Sequence, residues 1–136
     1  MKNNTVSILL AGIVILVASF ALLYTSIFLF PGMMEEYYND VFRSSSFETD
    51  WLFYVHPFVL ATALKWLWDR SKESSKGSSA ARAARLAFAY SLVAMIPVLL
   101  LTFSAINISL VMVATWVVYG FLQAFVGGLV FAIRHP

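Results

Sequence analysis

Four long stretches of apolar residues, separated by polar segments, form the pattern of this chain. Each stretch comes close to or exceeds the about 20 apolar residues that a helix needs to cross a bilayer. A secretory signal peptide has an apolar core of only about 7–15 residues, so the first stretch is interpreted as a retained helix. The pattern predicts transmembrane helices over Thr5 to Phe30, Trp51 to Trp68, Leu86 to Ser104 and Ile108 to Ile133.

The polar segment from Gly32 to Asp50 carries five acidic residues against a single Arg43. Within it, apolar side chains recur at helical spacing, and acidic side chains take the opposite side. The apolar set includes Tyr37, Tyr38, Val41 and Phe42, and the acidic set includes Glu35, Glu36 and Asp40. This pattern predicts a short amphipathic helix on the outer membrane surface.

The segment from Asp69 to Arg85 is the most polar linker, with five basic and two acidic side chains. Lys2 and Arg134 flank the first and last helices on the same predicted side. Because cytoplasmic loops of membrane proteins are enriched in Lys and Arg, both termini are predicted to be cytoplasmic, with a bacterial inner membrane as the expected location. The predicted fold is an all-α integral membrane bundle of four transmembrane helices in two hairpins, with residues 1–136 in one domain.

Composition agrees with a membrane location. Hydrophobic residues make up 61% of the chain and charged residues 12%, with a mean hydropathy of +0.83. A soluble domain carries about 25% charged residues. The net charge of +2 would suit a nucleic-acid partner, but the basic residues collect beside the membrane, so none is expected. The chain has no cysteine, which excludes disulfides, thiolate catalysis and Cys-ligated metals.

Small residues form a continuous row on the last predicted helix, because they recur at every fourth position. The row consists of Gly120, Ala124, Gly128 and Ala132, and the third helix has a shorter version at Ala83 and Ala87. Such rows let helix backbones approach closely in lipid. Since the short turn makes these helices antiparallel neighbours, the two rows are predicted to meet, with a second subunit as the alternative partner of the row.

Polar side chains inside the predicted helices are candidate functional residues. His56, followed by Pro57, lies about one and a half turns inside the outer end of the second helix. It is interpreted as a haem, quinone or metal ligand, as a proton-relay residue, or as a neutral imidazole that is hydrogen-bonded near the interface. Glu36 and Asp40 stand one turn apart and form either a cation site or a solvated helix face.

A second polar group lies near mid-membrane, and its members are Tyr90, Thr115, Tyr119 and Gln123. These side chains are interpreted as lining a polar cleft between helices. Alternatively, Gln123 forms a structural hydrogen bond across to the third helix.

No motif of a nucleophilic, nucleotide-binding or metallopeptidase site occurs in the chain. The overall layout and the last helix, where the run from Trp116 ends in Gly127-Gly128, resemble small bacterial four-helix membrane proteins that are grouped as families of unknown function. This resemblance implies no activity, site residue or cofactor.

Three functions are compatible with these features. The first is a non-enzymatic bundle that acts by helix association, as a homo-oligomer or as an accessory subunit of a larger membrane complex, without a cofactor. The second is a small transporter or ligand-binding bundle with a polar cleft. The third is a membrane redox protein that uses His56. In each of them the lipid bilayer is the immediate partner.

Overall fold

The computed structural model describes residues 4–38, 40–42, 46–71 and 76–134, and within these ranges every regular element is helical. The side chains of Met33 and Met34 lie outside this description, as do the predicted topology markers Lys2 and Lys72. The helices are α1 (Asn4–Leu29), α2 (Pro31–Tyr37), α3 (Phe47–Arg70), α4 (Ser79–Tyr90), α5 (Ile96–Ala105) and α6 (Leu110–Arg134), with a π-helical segment at Ser91–Met95 between α4 and α5.

Three helical stretches are long and apolar enough to cross a membrane: α1, the continuous stretch Ser79–Ala105, and α6. The predicted all-helical class is therefore confirmed, and these three stretches agree with a membrane protein. Among the described helices, α3 does not reach the same hydropathy, although it has 24 residues. Its acidic, basic and histidine residues are Glu48, Asp50, His56, Lys65, Asp69 and Arg70. The fourth crossing stays a prediction.

Two helices begin earlier than their apolar stretches, because polar residues form their first turns. α3 begins at Phe47, where the backbone N–H of Ser46 donates to Asp50 Oδ1 at 3.2 Å. The acidic side chains of Glu48 and Asp50 in the first turn also stabilise α3, because they lie at the positive end of the helix dipole. α4 begins at Ser79 because Ser78 Oγ accepts a hydrogen bond from the N–H of Ala81 at 3.3 Å, as an N-cap does.

The stretch from α4 to α5 passes a proline without ending. Pro97 has no N–H for the carbonyl one turn earlier, which would break a regular helix. Just before it, the N–H of Ile96 bonds to the carbonyl of Ser91 and closes the π-helical segment. A π segment inserts one extra residue into a helix, so the chain rearranges locally and then continues as α5.

Three helix pairs run antiparallel, and contacts at two levels in each pair fix their directions. These contacts are Ser7–Arg134 and Ser19–Gln123 for α1 and α6, Gly12–Phe58 and Phe20–Phe53 for α1 and α3, and Ala83–Gly128 and Met95–Gly120 for the α4–α5 stretch and α6. One end of the bundle therefore holds the start of α1 and the end of α6. The opposite end holds α2, and we call it the α2 end.

Charged side chains separate along the bundle. Among the described residues, the end opposite α2 carries the basic residues Lys65, Arg70, Lys76, Arg82, Arg85 and Arg134, and we call it the basic end. The elements at the α2 end carry the acidic residues Glu35, Glu36, Asp40, Glu48 and Asp50. Buried Lys65 is paired through its Nζ with Asp69 Oδ1 at 2.5 Å, so its charge is balanced at the helix end.

The hydrophobic core consists of two clusters. The larger one joins α1, α3, α4 and α6 toward the basic end, and its buried members are Ala11, Ile15, Leu60, Ala61, Leu64, Leu86, Ala87, Ala124 and Phe131. The smaller one lies toward the α2 end and consists of Leu99, Ile108, Met112 and Val113. Among the described residues, α1 and α3 contribute nothing to the smaller cluster. The half of α1 near α2 therefore lacks a packed core beside it.

The small-residue row of α6 faces α4 within the same chain. A Cβ atom on Gly128 would lie 3.1 Å from the backbone Cα of Ala83, and one on Gly120 would overlap the side chain of Met95. Other members of the two rows are also buried: Ala87, Ala124 and Ala132. The row lets the two backbones approach closely, and the chain's own helix covers it.

Candidate functional site

A cavity of about 420 Å³ lies between α1 and α6 near the α2 end, and we call it the α1–α6 cavity. It occupies the region where α1 has left the larger core cluster. Its volume falls within the range of about 300–1,000 Å³ that is typical of small-molecule sites. The lining residues are Leu23, Ser26, Ile27 and Phe30 of α1, Tyr37 of α2, Phe53 of α3, and Thr115, Trp116 and Tyr119 of α6.

Two polar contacts hold α2 over the start of α6. The indole Nε1 of Trp116 donates to the Tyr37 hydroxyl at 2.8 Å, and the backbone N–H of Ser109 donates to Glu36 Oε2 at 3.1 Å. Phe42 packs beside this pair, with its ring centroid 5.1 Å from that of Tyr37. Aromatic rings with one polar group suit the membrane interface. Together these contacts close the α2 end of the cavity.

Polar contacts between α1 and α6 continue at the level of Tyr119, on the side toward the basic end. Gln123 Nε2 donates to Ser19 Oγ at 2.7 Å, and Ser19 Oγ donates to the carbonyl of Ile15 at 2.7 Å. The Tyr119 hydroxyl donates to the carbonyl of Ser19 at 3.1 Å. Gln123 is 4% exposed, so its hydrogen bond is shielded from solvent. Gln123 thus bonds to α1, whereas the structural interpretation of the sequence supposed a bond to the third helix.

Two hydroxyl groups at the cavity wall lack the intrahelical bond that many helix hydroxyls of this chain donate. Thr25, Thr62 and Thr102 each donate to the carbonyl one turn earlier in their own helix. Within the described part of the chain, the Ser26 hydroxyl makes no hydrogen bond. The Tyr37 hydroxyl accepts from Trp116, but no described residue accepts its own proton. Each of these hydroxyls therefore retains a donor at the cavity.

The rest of the cavity wall is mostly apolar. Of the residues that the structure describes, no charged side chain lines the cavity. A charged ligand would lose its hydration there without gaining a partner, which is strongly unfavourable. The lining also lacks an activated nucleophile paired with a base. The arrangement is suited to binding a neutral lipophilic molecule.

The predicted polar-cleft residues occupy different places. Thr115 and Tyr119 line the α1–α6 cavity, and Gln123 lies one turn further along α6. Tyr90 packs against the larger core cluster instead. Sequence reasoning missed Ser19 and Ser26, although they lie about two turns apart and so share one face of α1. It also missed the contact of Tyr37 with Trp116, which joins distant parts of the chain.

The candidate cofactor and metal residues do not converge. His56 is exposed on α3, and its imidazole makes no hydrogen bond to any described residue. Glu36 is bonded to the backbone of Ser109, and Asp40 is exposed in the turn after α2. No group of three or more carboxylate or imidazole ligands forms a metal site among the described residues. The redox hypothesis for His56 and the cation hypothesis for Glu36 and Asp40 stay predictions.

Comparison with protein-family models, with curated proteins and with solved structures finds no match. The function is therefore inferred from the geometry of the chain itself.

Proposed function

We propose that this chain is a non-enzymatic membrane protein that binds a neutral lipophilic molecule in the α1–α6 cavity. The observation that carries the proposal is the cavity itself, a space of about 420 Å³ with walls from four helices. Its volume suits a small molecule, and its walls suit hydrocarbon. The bond between Trp116 and Tyr37 gives the cavity a fixed end, so a bound molecule has a defined position.

We further propose that α3 is the fourth transmembrane helix. Its 24 residues are enough to span the hydrocarbon layer. It packs antiparallel against α1 at two levels, so it shares the depth of a helix that is apolar enough to cross. Trp51 near one end and Trp66 and Trp68 near the other are typical of the aromatic belts at the two interfaces.

The proposed orientation has both termini in the cytoplasm. The separation of basic from acidic residues along the bundle supports it, because Lys and Arg are retained on the cytoplasmic side. In this orientation the α1–α6 cavity lies in the outer half of the bilayer. A lipophilic ligand would then reach it from the outer leaflet.

Helix association with another subunit has less support. The row that suggested it, including Gly120 and Gly128, is covered by α4 and the π-helical segment of the same chain. Association through another face stays a prediction. Ligand binding is favoured over association because side chains of four helices enclose the α1–α6 cavity without filling it.

The proposal is tested by measuring binding of 1-hexadecanol, a neutral lipophile, to delipidated protein by native mass spectrometry. We expect saturable binding of one molecule per chain. The variant Ser26→Trp places an indole inside the cavity, so binding should fall at least about tenfold. Leu23→Trp fills the same space from another position and should give the same loss.

The matched control is Thr25→Trp, which adds the same side chain at the adjacent, exposed position outside the cavity lining. It should bind 1-hexadecanol like the unaltered chain. Equal binding by the Ser26→Trp, Leu23→Trp and Thr25→Trp proteins would contradict the proposal, as would a failure of the unaltered chain to saturate.

A further inference from the structure

We infer that the ligand of the α1–α6 cavity carries a carbonyl oxygen, which the hydroxyl groups of Ser26 and Tyr37 bind. This inference rests on the proposed function, because it names the class of molecule that the same cavity takes. The class is a neutral lipophile with one carbonyl group, such as a long-chain ketone or ester.

The first observation is the state of the Ser26 hydroxyl. In lipid there is no water to satisfy a polar group, so helix hydroxyls normally donate to the carbonyl one turn earlier. Thr25, the neighbouring residue, does this through a bond of 2.7 Å to the carbonyl of Ala21. The Ser26 hydroxyl makes no hydrogen bond to any described residue, and Ser26 lines the cavity. A ligand acceptor at this wall would satisfy it.

The second observation is the state of the Tyr37 hydroxyl. An indole has one N–H and no acceptor, so in the bond with Trp116 the tyrosine oxygen must accept. The phenolic proton of Tyr37 is therefore left for a different acceptor, and none is found among the residues that the structure describes. The 2.8 Å bond also holds the ring of Tyr37 at the cavity wall.

These two groups select the chemistry of the ligand. The proton of the Tyr119 hydroxyl is directed to the carbonyl of Ser19, away from the cavity, so the available donors are those of Ser26 and Tyr37. A carbonyl oxygen offers two lone pairs to these donors and, unlike an alcohol, brings no further donor that would need an acceptor at the wall. An alkane would leave them unsatisfied. A carboxylate would bring a charge to a wall without a described cation, which burial makes unfavourable.

The inference is tested by comparing three probes of similar length by native mass spectrometry: 2-heptadecanone, heptadecane and palmitate. The ketone should bind more tightly than the alkane by about two- to tenfold for each hydrogen bond, and palmitate should bind most weakly. Ser26→Ala and Tyr37→Phe should each lower the affinity for the ketone by that factor. Neither substitution should lower the affinity for heptadecane.

Two controls separate recognition of the carbonyl from a change of shape. Thr25→Ala removes a hydroxyl outside the cavity and should leave binding of the ketone unchanged. Trp116→Phe removes the bond that holds Tyr37 at the cavity wall, while the Ser26 hydroxyl stays in place, so the preference for the ketone over the alkane should fall but persist.

The outcomes distinguish the two proposals. Equal affinities for the ketone and the alkane, or tighter binding of palmitate, would overturn the carbonyl inference and leave the cavity as a lipophile site. Complete loss of the ketone preference in Trp116→Phe would also overturn it, since the donor of Ser26 is still present. Absence of saturable binding by any probe would overturn the proposed function itself.

Discussion

The hydrogen bond from Gln123 to Ser19 is expected to couple α1 to α6 energetically. Both side chains are buried, with 4% and 1% of their surface exposed, and the two polar atoms lie 2.7 Å apart. Gln123→Met removes the donor and keeps the length of the side chain, and Ser19→Ala removes the acceptor. A double-mutant cycle of these two changes isolates the energy of the pair.

The expected coupling follows from the geometry. Hydrogen bonds between membrane helices contribute about 0.6 kcal/mol on average and up to about 1.7 kcal/mol. Because this bond is buried and Ser19 also donates to Ile15, we expect about 1 kcal/mol. Ser19→Ala should destabilise more than Gln123→Met. Ser19→Ala leaves the buried amide of Gln123 without its acceptor, whereas Gln123→Met leaves the Ser19 hydroxyl still bonded to the carbonyl of Ile15.

The assay is the free energy of unfolding of the four proteins of the cycle, from SDS titrations in mixed micelles followed by circular dichroism. A control cycle pairs Gln123→Met with Thr102→Val, because the Thr102 hydroxyl bonds only within its own helix. That control pair should be additive within about 0.3–0.5 kcal/mol. A coupling between Gln123 and Ser19 no larger than in the control cycle would refute the reasoning.

Two further predictions concern packing and orientation. Gly128→Ala should destabilise the protein by about 1–3 kcal/mol, since its new Cβ would lie 3.1 Å from the backbone Cα of Ala83. The control is Gly32→Ala, whose new Cβ would have nothing within 4 Å, and it should change the free energy of unfolding by less than about 0.5 kcal/mol. Equal effects of the two substitutions would contradict the close contact of Gly128 with Ala83. Because the chain has no cysteine, a single introduced cysteine shows which side of the membrane its position faces. In intact cells, a membrane-impermeant maleimide should label the Asp40→Cys protein but not the Lys76→Cys protein. The reverse result would contradict the proposed orientation.

Periodicity and hydropathy predicted the class of the fold because each helix that crosses a bilayer needs an apolar run of its own, which is visible in the sequence. The stretches around Gly12, Pro97 and Gln123 contain almost no charge, and all three form helices that are apolar enough to cross. His56 and Lys65 lower the hydropathy of α3, so hydropathy alone does not indicate a crossing there. The proposal that α3 crosses rests on its packing against α1, which no property of α3 alone can indicate.

The candidate site could be predicted only in part, because spacing along one helix does not identify the partner helix. Thr115, Tyr119 and Gln123 stand one turn apart, and this spacing correctly places them on one side of α6. The contacts of Tyr119 and Gln123, however, come from α1, through Ser19, and the neighbouring Trp116 bonds to Tyr37 of α2. Those pairings join residues far apart in the chain, and only the tertiary arrangement determines them.

The π-helical segment at Ser91–Met95 sets the direction in which α5 presents its side chains. One inserted residue turns the following helix by about 100° relative to a regular continuation. Deleting one residue there would restore regular winding and rotate Leu99 away from Met112, while the contact of Ala83 with Gly128 would stay in place. A single inserted or deleted residue in this segment thus changes which face of α5 points toward α6, without changing how α4 packs against α6.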